Sequence, residues 1–120
     1  MGKPILVVDD SATVRQQIRA TLSTAGFEVV EAVDGQDGLD KIESTRPALV
    51  LCDVNMPRLN GLEMLTRLGT PQLATLPVIM LTTEGQPSLI KKARDAGARG
   101  WIVKPFNTDQ LVKAVQRLVS

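Results

Sequence analysis

The chain has 120 residues and 43% hydrophobic content, which favours one domain with a real core and argues against disorder. Its 14 basic and 13 acidic residues leave a net charge of +1, without the basic face that nucleic-acid binding needs, and no apolar run approaches the ~20 residues that span a membrane. With no His and a single Cys, catalytic triads, His-based zinc sites, phosphohistidine chemistry in this chain and intrachain disulfides are excluded.

The N-terminus, one Lys and the run Ile5-Leu6-Val7-Val8 ending in Asp9-Asp10, is not a signal peptide. Short β-branched runs predict strands over 4–8, 28–32, 49–53, 77–82 and 100–103, and their unbroken apolarity fits strands covered on both faces. Helical periodicity fills the gaps. The first helix spans 11–24, with Val14, Ile18 and Leu22 on one stripe, Ser11 or Asp10 as cap and Gly26 as stop. The second spans 36–44 with Leu39 and Ile42 inward. The third spans 61–68, carrying Leu62, Leu65 and Leu68 behind Asn60 as cap. The fourth spans 87–96, opening on Pro87 and ending at Gly97. The fifth spans 108–119, where Asn107 with Gln110 resembles a capping box. Cys52 lies within a strand run and reads as a reduced core residue of a cytoplasmic chain.

Strict βα alternation with short linkers implies right-handed crossovers and a parallel sheet with helices on both faces. Of the two common doubly wound orders, length favours the smaller (βα)5, flavodoxin-like α/β arrangement, 2-1-3-4-5. Residues 1–120 then form one domain, without an output domain.

Polar residues cluster where the strands stop: Asp9 and Asp10 after the first, Asp53 closing the third, Thr82 closing the fourth and Lys104 after the fifth. In an open α/β sheet these positions share the carboxyl edge, where ligands bind. Two like charges 4 Å apart cost about 1 kcal/mol in water and about 4 near a protein surface, so three carboxylates there call for a cation. All-oxygen ligation with open positions suits Mg²⁺. Lys104 and Thr82 could stabilise a transferring phosphoryl group, with Asp53, alone on the central strand, as nucleophile. The competing reading is that each Asp is a turn or cap residue. It is reasonable for one of them and strained for five polar groups on one edge.

Asp9-Asp10-Ser11, Asp53-Val54-Asn55-Met56-Pro57 with Gly61, Thr82 and Lys104-Pro105-Phe106 resemble the receiver domain of bacterial two-component response regulators. The resemblance covers essentially the whole chain and points to a stand-alone, chemotaxis-type regulator. It implies that Asp53 takes a phosphoryl group from a histidine kinase. Asp10, Asp53 and the carbonyl of Asn55 would hold Mg²⁺, with Asp9 acting largely through water. Thr82 would read the phosphoryl oxygen, Lys104 would pair with the acyl phosphate, and the Lys104-Pro105 bond would be cis. Such domains also use small phosphodonors and hydrolyse their own phosphate.

The resemblance extends to signalling. Trp101 stands where the family usually has Tyr or Phe, at a ring position that moves with Thr82. Thr83 stands where Ala or Gly is common, and with Asn55 and Glu84 it would tune phosphate loss. The output face would comprise the fourth helix, fifth strand and fifth helix, with Ile90 at the surface beside Arg94, and Lys113 and Arg117 on the neighbouring helix. The implied partners are a histidine kinase, a downstream protein such as a flagellar motor component, and a phosphatase, acting on a monomer. A haloacid-dehalogenase-type phosphohydrolase is the first alternative, but it needs an Asp where Asn55 stands. An unphosphorylated interaction module would normally have lost Asp53, Thr82 or Lys104. A flavin carrier would need a phosphate-cradling loop after the first strand.

Overall fold

The continuous apolar runs do become strands, the inner three buried throughout and the two edge strands only in part. A computed structural model describes residues 3–54, 59–83 and 87–119. Strands β1 (Ile5–Val8), β2 (Val29–Ala32), β3 (Leu49–Asp53), β4 (Val78–Thr82) and β5 (Gly100–Val103) alternate with helices α1 (Ala12–Thr24), α2 (Gly35–Thr45), α3 (Gly61–Leu73), α4 (Pro87–Asp95) and α5 (Thr108–Val119). The strands form one parallel sheet in the order β2-β1-β3-β4-β5, as the sequence predicts.

Alternation along each strand sorts its side chains between two cores. Leu6, Val8, Val50, Cys52, Val78 and Met80 point to one face and pack with Ile42, Met64, Leu65 and Ala93 of α2, α3 and α4. Ile5, Val7, Leu49, Leu51, Ile79 and Leu81 point to the other and pack with Ile18, Leu22, Leu111 and Val115 of α1 and α5. Each fully buried Leu or Ile contributes about 1.5–3 kcal/mol of hydrophobic stabilisation.

Local chemistry sets the helix ends. Ser11 Oγ, not Asp10, caps α1 by accepting from the Val14 amide at 3.3 Å. Asn60 and Glu63 form a reciprocal capping box at α3, with bonds of 2.9 and 3.1 Å. At α5 only half of the expected box forms. Asn107 Oδ1 accepts from the amides of Asp109 and Gln110, and among the described residues no bond returns from the Gln110 side chain. The third helix also differs from expectation. Its regular part stops at Gly69, whose φ of 79° and ψ of 163° break the helix, and the chain resumes helical geometry as far as Leu73 with Pro71 inside that stretch. Periodicity ending at Leu68 did not reveal this extra turn. The Lys104-Pro105 peptide bond is cis.

Candidate functional site

The register explains why the strand-end groups converge. Val8 pairs with both Ala32 and Cys52, Asp53 pairs with Leu81, and Thr82 pairs with Val103. The carboxyl ends of β1, β3, β4 and β5 are therefore nearly level. Asp9, Asp10 and Asp53 each offer a carboxylate oxygen within 4.8 Å of the others. Asp9, Asp53 and Thr82 are buried, whereas Asp10 is exposed.

Lys104 supplies the compensating charge. Its ammonium lies 2.7 Å from Asp9 Oδ2 and 3.5 Å from Asp53 Oδ2. The Lys104 amide also donates to the Thr82 carbonyl at 2.6 Å, which fixes the start of the β5–α5 connection against the end of β4. Asp9 is held from both sides, because its other oxygen accepts from the Ser11 amide at 2.8 Å.

Two supporting groups were missed in the sequence. Arg15 donates to the Asp9 carbonyl at 2.6 Å and pairs with Glu31 at 3.0 Å; Arg19 also pairs with Glu31. The available signal was a cation near a helix N-terminus, where the helix dipole disfavours it. Gly35 is the second. Its amide donates to the Leu59 carbonyl at 3.0 Å, and a Cβ there would collide with that same oxygen. This contact ties the start of α2 to the segment leading into α3.

Gly61 sits closer to the chemistry. A Cβ at this position would fall 2.5 Å from the Asp53 carbonyl oxygen and 2.5 Å from Met80 Cε. Backbone crowding around Asp53 thus demands glycine here. Beneath Asp53, burial pushes the Cys52 thiol far above its usual range, with the charges of Asp53 and Asp9 adding to the effect and Lys104 opposing it. Cys52 is an inert core thiol.

The response regulator receiver domain family matches residues 5–116. The chain belongs to this family. It is 32% identical to the chemotaxis protein CheY of Thermotoga maritima over 98% of both chains. It is 37% identical to the transcriptional regulatory protein PdtaR of Mycobacterium tuberculosis, covering 97% of this chain and 56% of that protein. The chain thus spans about half the length of PdtaR. The solved structure of the Vibrio cholerae chemotaxis protein CheY4 superposes with a TM-score of 0.90 at 40% identity, covering 98% of this chain and 99% of that one.

Within this receiver domain, the residues singled out for signalling fall in two groups. Thr83 is exposed just past the end of β4 and shares a cavity with Lys104, Pro105 and Phe106. Trp101 pairs with Met80, so by alternation it lies on the same sheet face as Thr82, two residues along β4. Its ring is half-buried against the α2–α3–α4 core, and its buried indole Nε1 has no hydrogen-bond acceptor among the described residues. Ile90 is half-buried rather than exposed, because it shares a small cavity with Arg94 and Trp101. Lys113 and Arg117 are exposed along a second cavity that Trp101 also lines. Trp101 of β5 thus lines one cavity with Ile90 and Arg94 and another with Lys113 and Arg117. Asn55, Met56 and Glu84 lie outside the described residues.

Proposed function

We propose that this receiver domain is a phosphorylation-driven signalling switch with Asp53 as its phosphoacceptor. The single observation that carries the reading is the close group of three carboxylates with Lys104 bridging Asp9 and Asp53. The Asp53 carboxylate would attack the phosphorus of a histidine kinase's phosphohistidine. An O–P bond forms, the N–P bond breaks, and the imidazole nitrogen keeps the bonding electron pair.

Receiver domains generally use Mg²⁺, and the donor set here fits that ion: all-oxygen, carboxylate-rich and open to solvent on the Asp10 side. Asp10 and Asp53 would hold it, with Asp9 acting through water. The chemistry such an ion supplies is neutralisation of charge on the carboxylates and phosphoryl oxygens. Lys104 would move from its carboxylate pairs toward the new phosphoryl oxygens, and the Thr82 hydroxyl would donate to one of them. The phosphoryl group adds roughly −1.5 to −2 charges. It would shift a pre-existing equilibrium through Thr82 to Trp101, which shares its sheet face.

The same reading places Ile90, Arg94, Lys113 and Arg117 on the face that engages a downstream protein. Similarity to chemotaxis proteins supports a role in motility, with a flagellar motor component as one such partner. A cytoplasmic setting accords with a chain in which no helix, among the described residues, is long and apolar enough to cross a membrane.

Incubation with Mg²⁺ and acetyl phosphate should add one phosphoryl group by intact mass and change Trp101 fluorescence. Both effects should vanish in Asp53→Asn. Mass gain in that variant, or no gain in wild type, would sink the assignment of Asp53.

A further inference from the structure

The sheet end opposite Asp53 carries a groove of about 630 Å³ between α2 and α3. Along β3 alone, about 3.3 Å per residue separates the two ends by roughly 17 Å. The groove has an apolar floor, formed by buried Ile42 and Leu76 with half-buried Leu39 and Leu68.

Its rim is strongly cationic. Lys3, Arg46 and Arg67 are all exposed there, and none forms an ion pair among the described residues. Glu43 is the one acidic residue in the lining. Three cations less one carboxylate leave +2 at this groove, whereas the whole chain carries only +1. The rest of the molecule is therefore net negative, and the basic excess is local.

Arg46 adds an independent observation. It caps the C-terminus of α2 with φ 46° and ψ 64°, a left-handed conformation that Gly or Asn fills most easily. Arg46 is the only non-glycine residue with positive φ among the described residues. Its amide donates to the Ile42 carbonyl at 3.0 Å, so this turn ends α2 and leaves the long Arg46 cation at the groove rim.

We propose that this α2–α3 groove docks an acidic peptide segment of a partner protein, with apolar side chains on the Ile42–Leu76 floor and carboxylates against Lys3, Arg46 and Arg67. An apolar floor inside a basic rim complements a segment carrying both features. The surface is separate from the phosphoacceptor edge and does not depend on phosphorylation.

The test is a phage-displayed random dodecapeptide library selected on the immobilised protein, with counter-selection on Lys3→Gln/Arg46→Gly/Arg67→Gln. Enriched peptides should be net negative with at least two apolar residues. A synthetic copy of the most enriched one should shift the amide resonances of Ile42, Arg46, Leu68 and Leu76. Its Kd should weaken at least tenfold in the triple variant and stay unchanged in Asp53→Asn. Arg46→Gly alone should raise the melting temperature while weakening peptide binding, a combination that a purely structural Arg46 would not produce. The proposal is overturned by peptides without acidic bias, by equal binding to the triple variant, or by shifts confined to the Trp101 face. It is equally overturned if Arg46→Gly lowers stability. Binding to phosphatidylglycerol vesicles or duplex DNA that matches the peptide in affinity and is lost in the triple variant would also overturn it.

Discussion

Lys104 pairs with two carboxylates of the acidic cluster, so its removal should expose how much that cluster costs. At an effective dielectric constant near 20, an ammonium 2.7 Å from Asp9 and 3.5 Å from Asp53 gains about 6 and about 5 kcal/mol of gross attraction. Desolvation offsets much of this, but breaking a buried pair by removing one partner still costs about 3–5 kcal/mol. The side chain of Asp9 is 0% exposed and that of Lys104 14%, so solvent screening gives little relief. Lys104→Met in a magnesium-free, EDTA-containing buffer should therefore lower the urea midpoint by about 2 M at an m of about 2 kcal/mol/M. Asp9→Asn should cost less, because Lys104 keeps Asp53 and one carboxylate repulsion is relieved. On the Lys104→Met background, Asp9→Asn should be neutral or stabilising, giving a coupling of about 2–3 kcal/mol in the double-mutant cycle. Urea unfolding followed by far-ultraviolet circular dichroism measures all four corners. Additivity within about 0.5 kcal/mol would refute the argument that Lys104 holds the cluster together.

Three further outcomes follow from the same geometry. Gly61→Ala should lose about 1–3 kcal/mol of stability through overpacking and slow phosphorylation by acetyl phosphate, since the new methyl presses on the Asp53 carbonyl and Met80; a wild-type rate would contradict this. Thr83→Ala should lose its phosphoryl group several-fold faster than wild type in a decay assay, because Thr83 directly follows Thr82 and shares a cavity with Lys104, and an unchanged rate would exclude that role. Cys52 gives a pH dependence whose sign follows from its raised native pKa. Below about pH 8.5 the thiol is protonated in both folded and unfolded chains and contributes no difference. As pH rises further, the unfolded chain ionises while the folded one does not, so stability falls by about 2 kcal/mol by pH 10 relative to Cys52→Ala. Parallel pH–stability curves for the two proteins would show that Cys52 is not the source.

Strand and helix order were legible in the sequence because unbroken β-branched runs and 3.6-residue periodicity report local burial directly. The run through Leu49–Cys52 could hardly be anything but an interior strand once helical patterns flanked it, and the strand-end carboxylates followed from that alternation. The Asn60 cap of α3 was legible for the same reason, whereas the returning bond from Glu63 was not anticipated and the box expected at Asn107 and Gln110 forms only in part. Other features needed the chain to return on itself. The level strand ends depend on register, which sets Lys104 between Asp9 and Asp53 across 95 and 51 positions of sequence. The demand for glycine at Gly61 arises from the Asp53 backbone, and the support from Arg15 arises from the Asp9 carbonyl.

The partial burial of Ile90 and the shared face of Thr82 and Trp101 likewise come from how β4, β5 and α4 pack. The cationic rim around Lys3, Arg46 and Arg67 joins residues from three separate parts of the chain. Periodicity and residue chemistry therefore determined the elements, the sheet edge and the kinds of group on it, because each is a local property of the chain. Distances, compensation of charge and the composition of every groove were decided by tertiary structure, because those energies depend on which distant segments the packed sheet brings together.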